Sequence, residues 1–477
     1  MVTALPQPGG LKGTSLKGGD TPLGSLVDSI LGSRPLNKQP LLIADSLEEE
    51  LLSLGWPTGL RIGGEPALAH RFGVGRDVLR EVVRLLEGRN HARMRRGPGG
   101  GLEIVRPDLQ DLIGRLFGYA YVAGIDRVQA LETWIILQAA AVRALSARHS
   151  YDWSGLTARL EEKCAQSARA VGTELIAASE SQVLEILGDL VGALLPSFVD
   201  DVWCCAHQPL LKEASGAAGM REWLRTHQLP YLIDRLADAG AEPTIAPPAA
   251  PRSQCFQGQA MQLVHDLMSA MPPGQWVRGA LIGNEFDLAD RFGVDKSVVR
   301  QAIRLMEDAE AAISSPGRGL GLVTRLPSTA PLSRLLCAYL VAHGAAVEDG
   351  EKTFFALRTE CAGAAAENAS AEDKITLLSM IHDLEALAAP LPVSAFQGFE
   401  RLQQHVTHNS LLGMFIDGVK AFLTWRQSPC PMANAEILEA YRKHTSRAAM
   451  AICANDVLAA MEAESEKLLA MSHVRNR

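Results

Sequence analysis

The feature that most restricts this chain is a repeat. Residues 65–87, EPALAHRFGVGRDVLREVVRLLE, and residues 285–307, EFDLADRFGVDKSVVRQAIRLME, align without a gap at a separation of 220 residues and agree at 12 of 23 positions. The shared residues are Glu65, Leu68, Ala69, Arg71, Phe72, Gly73, Val74, Val78, Arg80, Arg84, Leu85 and Glu87, each with its partner. Chance does not give such agreement, and a repeat of this length means a domain present twice rather than a stack of short units.

The local pattern within each copy is readable. From Leu41, LLIADSLEEELLSLGW has the apolar spacing of a helix that Pro57 and Gly59 end. A second helix is predicted from about Pro66 to Phe72, with Leu68, Ala69 and Phe72 inward. Gly73 stops it because a tight turn there needs a left-handed residue. Val74 plugs the corner, and a third helix runs from about Arg76 to Leu86. Arg76, Arg80 and Arg84 recur every four residues on one of its faces. Arg93, Arg95 and Arg96 then lead into GPGGG and the alternation Leu102, Ile104, Val105, a two-stranded hairpin with a glycine tip. Three helices with a tight turn and a hairpin make a winged helix-turn-helix.

The predicted class is therefore mainly α, with two winged helix-turn-helix domains, each followed by an all-helical bundle. Residues 1–40, rich in Gly, Pro, Ser and Lys, read as a flexible tail in which only Leu26–Leu31 has helical character. The first winged unit spans 41–106, and Ala- and Leu-rich amphipathic stretches make 107–240 a helical domain for effector binding or dimerisation. A Pro-rich linker at 241–256 precedes the second winged unit at 257–326 and a second helical domain at 327–477. No run of about 18 apolar residues and no export signal is present, so the expected location is the cytoplasm, at the nucleoid when DNA-bound, with no membrane partner. The 8 cysteines have no CxxC spacing and read as reduced core thiols.

The net charge of −8 excludes a general polycation, so any nucleic-acid affinity has to be local. Residues 57–106 supply it, with ten Arg against five Asp or Glu. The arginine face lies on the helix that follows the turn, the element that enters the major groove, and the hairpin arginines stand within reach of phosphates. GPGGG follows no buried strand and opens no helix bearing Lys-Ser/Thr, so it is not a nucleotide loop.

The string ALAHRFGV-x-R-x-V-x-R-E-V-V-x-x-L-E with its Arg/Gly wing resembles the GntR family of bacterial transcription regulators, as does the lead-in GWPTGLRIGGE. FERLQQHVTHNSLL (399–412) and FVDDVWCCAHQPLL (198–211) resemble the helical ligand-binding domain of its FadR-like subfamily. The whole then reads as two regulators in tandem. The resemblance implies sequence-specific binding to double-stranded DNA, usually as a repressor, with a small metabolite, often a carboxylate, as effector. It places recognition contacts on Arg76 and Arg80, with Arg84, Arg95 and Arg96 beside them. In the second copy they fall on Lys296, Ser297 and Arg300, with Arg318 in the second hairpin. There are two departures from the pattern: the Arg usual after the lead-in Glu is Pro66 or Phe286, and Asp77 replaces a small hydroxyl residue.

The second copy is weaker in charge, with seven cations and seven anions over 277–326, so the first is expected to bind DNA more strongly. Subfamily members that hold a metal use one Asp and three His. Here Phe396 and Glu400 occupy two of those positions, and about Leu195 and Val199 their equivalents, so no cofactor and no divalent metal is expected. His227, His405 and His444 remain as candidate ligand-binding residues. The DNA-binding unit is either a homodimer or an intramolecular pseudo-dimer. An effector-independent DNA-architecture or interaction scaffold is the alternative function. An enzyme is not expected: its best case, Cys204 and Cys205 with His207, lacks an acid partner and an oxyanion loop.

Overall fold

The computed structural model describes Val27, Ile30, Leu31 and residues 38–475, apart from 98, 149, 202–210, 212, 213, 215, 239–244, 246–257, 272–275, 277, 278, 315–320 and 428–431. The candidate Arg318, the Cys204–Cys205–His207 group and all of the Pro-rich linker except Ile245 lie outside the described residues.

The first helix–hairpin unit comprises α1 (Gln39–Ser53), α2 (Glu65–Phe72), α3 (Arg76–Gly88), β1 (Ala92–Arg95) and β2 (Gly101–Ile104). Helices α4 (Leu109–Ala123), α5 (Arg127–Ser146), α6 (Trp153–Cys164), α7 (Ala168–Ala178), α8 (Gln182–Leu194), α9 (Gly216–Trp223) and α10 (Leu229–Asp238) follow. The order then begins again with α11 (Gln259–Ser269), β3 (Leu281–Gly283), α12 (Glu285–Phe292), α13 (Lys296–Asp308), β4 (Ala312–Ser314) and β5 (Leu322–Thr324). Behind these come α14 (Ala330–Ala342), α15 (Val347–Asn368), α16 (Ala371–Ala386), α17 (Gln397–Val406), α18 (Ser410–Gln427), α19 (Ala435–Cys453) and α20 (Val457–Arg475).

The internal likeness extends to single bonds. Gly73 and Gly293 end α2 and α12 with φ of 62° and 63°, the left-handed turn that the sequence demands. Trp56 Nε1 donates to the Val105 carbonyl, as Trp276 Nε1 does to that of Arg325. Met94 N donates to Glu87 Oε1, and Ser314 N to Glu307 Oε1. Leu47, Leu68, Leu79, Val82 and Leu102 fill the first core where Leu267, Leu288, Val299, Ala302 and Leu322 fill the second. Truncating one such fully buried Leu to Ala costs about 2–5 kcal/mol.

The predicted hairpin of the first copy is present as the two strands β1 and β2, with an isolated bridge from Arg61 to Glu103, whereas in the second copy β3 pairs with β5 to add a third strand that the sequence did not suggest. Glycine permits this approach: a Cβ on Gly101 would stand 2.8 Å from the Gly63 carbonyl oxygen, and one on Gly321 2.4 Å from that of Gly283. Within 1–40 the helical character expected at Leu26–Leu31 is seen at the described residues. Val27, Ile30 and Leu31 are helical and buried because their apolar side chains pack into the core, and α1 begins at Gln39.

Each of three helices packs against its own counterpart: α3 on α13, α4 on α14, and α5 on α15. Contacts of this self-matching kind are those of a two-fold dimer, formed here within one chain. Arg143 of α5 reaches Glu360 of α15 at 3.0 Å, and Thr133 Oγ1 donates to Asn409 Oδ1 at 3.1 Å.

Candidate nucleic-acid interface

Helix α3 buries Leu79, Val82, Val83, Leu85 and Leu86 and leaves Arg76, Arg80 and Arg84 exposed. The three arginines recur at the helical period opposite the apolar stripe, so burying one face presents the other. Arg95 and Arg96 are exposed on the adjoining hairpin, while Arg93 is half-buried. Arg76, Arg84 and Arg96 form no ion pair among the described residues. Arg80 has only loose neighbours, Glu65 at 3.6 Å and Asp77 at 3.7 Å. Glu103 is held by Arg95 at 3.3 Å and Arg61 at 3.4 Å, and these cations draw its carboxyl below the usual range. Arg71 is taken by Glu50.

The second copy presents the same face with different chemistry. Lys296, Ser297 and Arg300 are exposed at the start of α13. Arg300 is paired with Glu285 at 2.8 Å, and the Lys296 ammonium sits 3.8 Å from the centroid of the exposed Phe286 ring. Asp295 caps α13 by accepting from Ser297 N at 2.7 Å, and its hydrogen bonds with Ser297 hold its carboxyl below the usual range. The corresponding cap of α3 is Gly75, with no side chain over the helix terminus. Backbone N–H groups at such a terminus suit a phosphate. One copy leaves them open and the other covers them with a carboxylate.

The two helices meet side by side. A Cβ on Gly88 would come within 2.7 Å of Leu305 Cδ2, so glycine is what lets α13 approach. Arg304 reaches across to Glu81 at 3.3 Å. Between them lies an open cleft of about 540 Å³ that brings together Arg80, Arg84, Ser297 and Arg300. Its described lining has five cationic side chains (Lys38, Arg80, Arg84, Arg300 and Arg304) and three carboxylates (Asp77, Glu81 and Glu285), which favours an anionic occupant.

A buried ion network fastens the pair. Arg89, just past α3, donates to both oxygens of Asp308, from Nε at 3.1 Å and Nη2 at 2.6 Å. Its other bonds go to Glu48 at 2.6 Å and Asp45 at 2.8 Å. Burial disfavours the charged guanidinium, but Asp308, Glu48 and Asp45 outweigh it and raise its pKa. The sequence reading missed Arg89. The signal available was the placement of Asp45 and Glu48 on the apolar side of α1, a poor location for charges unless a cation meets them.

The histidine candidates are not brought together. His227 is half-buried in a π-helical turn, Leu224–Gln228, and His444 is half-buried on α19 with Nδ1 3.2 Å from Glu466. His405 is exposed on α17, beside His408 at 6.1 Å between ring centroids. Phe396 and Glu400, which the resemblance sets at metal-ligand positions, have partners within the chain. Phe396 stacks on Tyr441 at 4.0 Å, and Glu400 meets Arg358 at 2.5 Å and Lys467 at 2.9 Å. Burial alone would push the Glu400 carboxyl up, yet Arg358 and Lys467 hold it well below the usual range. Among the described residues no three His, Cys, Asp or Glu side chains converge as a metal site. No described helix is long and apolar enough to cross a membrane.

No protein-family model matches this sequence, and no curated protein sequence matches it. Among solved structures, GntR from Streptococcus agalactiae is similar over 45% of this chain and 98% of its own, with 16% identity and a TM-score of 0.33.

Proposed function

We propose that this chain is a DNA-binding transcription regulator whose two winged helix-turn-helix units, products of a tandem duplication, act as one intramolecular pair. The observation that carries this reading is the exposed arginine row on α3, opposite a fully apolar stripe and beside the exposed Arg95 and Arg96 of the hairpin. A row of arginines with no carboxylate nearer than 3.6 Å among the described residues suits a regularly spaced polyanion, and a helix of 13 residues with a ribbon at its side fits a duplex groove. Arg76, Arg80, Arg84, Arg95 and Arg96 are the proposed contacts of the first unit, and Lys296, Ser297 and Arg300 those of the second. The self-matching contacts between the halves support one chain, rather than a homodimer, as the reading unit.

The regulator is further proposed to act as a repressor under a small-molecule effector without a resident metal. Phe396 and the neutralised Glu400 at the family's metal positions support the last point. Footprinting on random-sequence duplexes with the purified full chain tests the proposal. A discrete protected site with one chain per duplex by native mass measurement is expected. Sequence-blind coverage overturns it in favour of an architectural scaffold.

A further inference from the structure

The two sides of the pairing axis differ in bulk as well as charge. Glu48, Arg89 and Arg334 have as counterparts, 220 residues away in sequence, Met268, Ala309 and Gly114. Three long charged side chains thus face three uncharged residues, two of them much shorter, and a cavity of about 130 Å³ remains where the heads meet α4 and α14. Val122, Met261, Val264, Met268, Met306 and Leu335 give it an apolar wall. The charged groups at its edge already have partners within the chain. Arg89 is bound by Asp45, Glu48 and Asp308, Arg334 lies 3.6 Å from Asp45, and Arg115 donates to the Gly88 carbonyl. A charged occupant would lose its hydration and have to compete with these existing partners.

We propose that this cavity is a binding site for a small, uncharged, predominantly apolar molecule of about six to eight non-hydrogen atoms, since an apolar cavity near 150 Å³ accepts benzene. Three methionines in the wall adapt to the outline of such a guest. Met306 belongs to the recognition helix α13, and Asp308, at that helix's end, carries the bond to Arg89. A guest therefore touches the joint between the heads, and it favours whichever head spacing closes the cavity around it by its difference in affinity for the two. The binding stands on the cavity alone. Its regulatory consequence rests on the DNA reading proposed above.

The test uses the full chain with ¹³C-methyl methionine and toluene as the probe. Saturable shifts are expected at Met261, Met268 and Met306 and not at Met220 or Met414, which are buried elsewhere. Val264→Phe and Ala309→Leu each fill the space and should abolish the shifts while melting no lower than the wild type. Shifts spread over all methionines, or unchanged in a variant that still melts cooperatively, overturn the site. Toluene should also change DNA retention by the wild type about threefold or more and leave the filled variants unaffected. Retention unmoved by toluene overturns the regulatory part. A chain that holds no DNA yet keeps the methionine shifts overturns the DNA reading and leaves the ligand site standing.

Discussion

Helices α3 and α13 share a backbone course and a burial pattern, and they differ at the end that would meet DNA. Helix α3 starts behind Gly75 with Arg76 and leaves its N-terminal amides uncovered, whereas α13 starts behind Asp295, which occupies them. Arg80 has its nearest carboxylate at 3.6 Å, whereas Arg300 holds Glu285 at 2.8 Å. The α12 start repeats the theme: Asn284 caps it by accepting from Phe286 N and Asp287 N, while Gly64 before α2 supplies no side chain. A side-chain cap stabilises a helix, but it removes the donors and adds the charge that a phosphate would have to displace. Under the proposed DNA reading, the comparison teaches that the copies divide the work. The first keeps the surface suited to DNA, and the second trades part of it for internal order.

The divergence also keys the halves to each other. Arg89 and Asp308 have Ala309 and Gly88 as their counterparts, so two copies of either half alone could not form this ion pair. Breaking it is the largest effect expected. Arg89→Met removes the buried guanidinium that Asp45, Glu48 and Asp308 share and should cost about 3–5 kcal/mol in urea unfolding. A loss under about 1 kcal/mol would show that the network does not hold the heads together.

A smaller effect comes from Glu307, which Lys38 holds at 2.5 Å. Burial raises its pKa, but Lys38, Ser314 and Arg304 outweigh burial and leave the carboxyl depressed. A depressed carboxyl stabilises the fold above its unfolded pKa, near 4.3, and that contribution is lost as pH falls through the folded value. Glu307→Gln should therefore lower Tm by about 2–4 °C at neutral pH, with the gap closing below about pH 4. A gap that widens in acid contradicts the sign. The smallest effect sharpens the comparison at the helix start: Asp295→Gly should tighten DNA binding by about two- to fivefold, as the carboxylate over the α13 terminus is removed. Weaker binding in a gel-shift titration would show that the cap serves the reading head rather than obstructing it.

The elements of each unit were legible because their causes are local. Gly73 demands a left-handed turn, and the apolar stripe of α3 orients its arginines without reference to the rest of the chain. The partnership of the halves was not legible, since Arg89 and Asp308 stand 219 positions apart and neither looks unusual on its own helix. For the same reason the third strand of the second copy escaped notice: it depends on two distant glycines, Gly283 and Gly321, meeting backbone to backbone. The surroundings of the histidines were equally hidden, because what lies opposite a ring on one helix is set by other elements. His408 turns to Asp373 at 2.9 Å, and His405 remains exposed.

The salt dependence of DNA binding tests the division of work most directly. Each phosphate contact contributes about 0.9 to the slope of log affinity against log salt. Arg76→Ala with Arg80→Ala should lower that slope by about two, and Lys296→Ala with Arg300→Ala by about one or less, since Glu285 and Phe286 already engage those cations. Equal losses, or a larger loss from the second pair, would contradict the account.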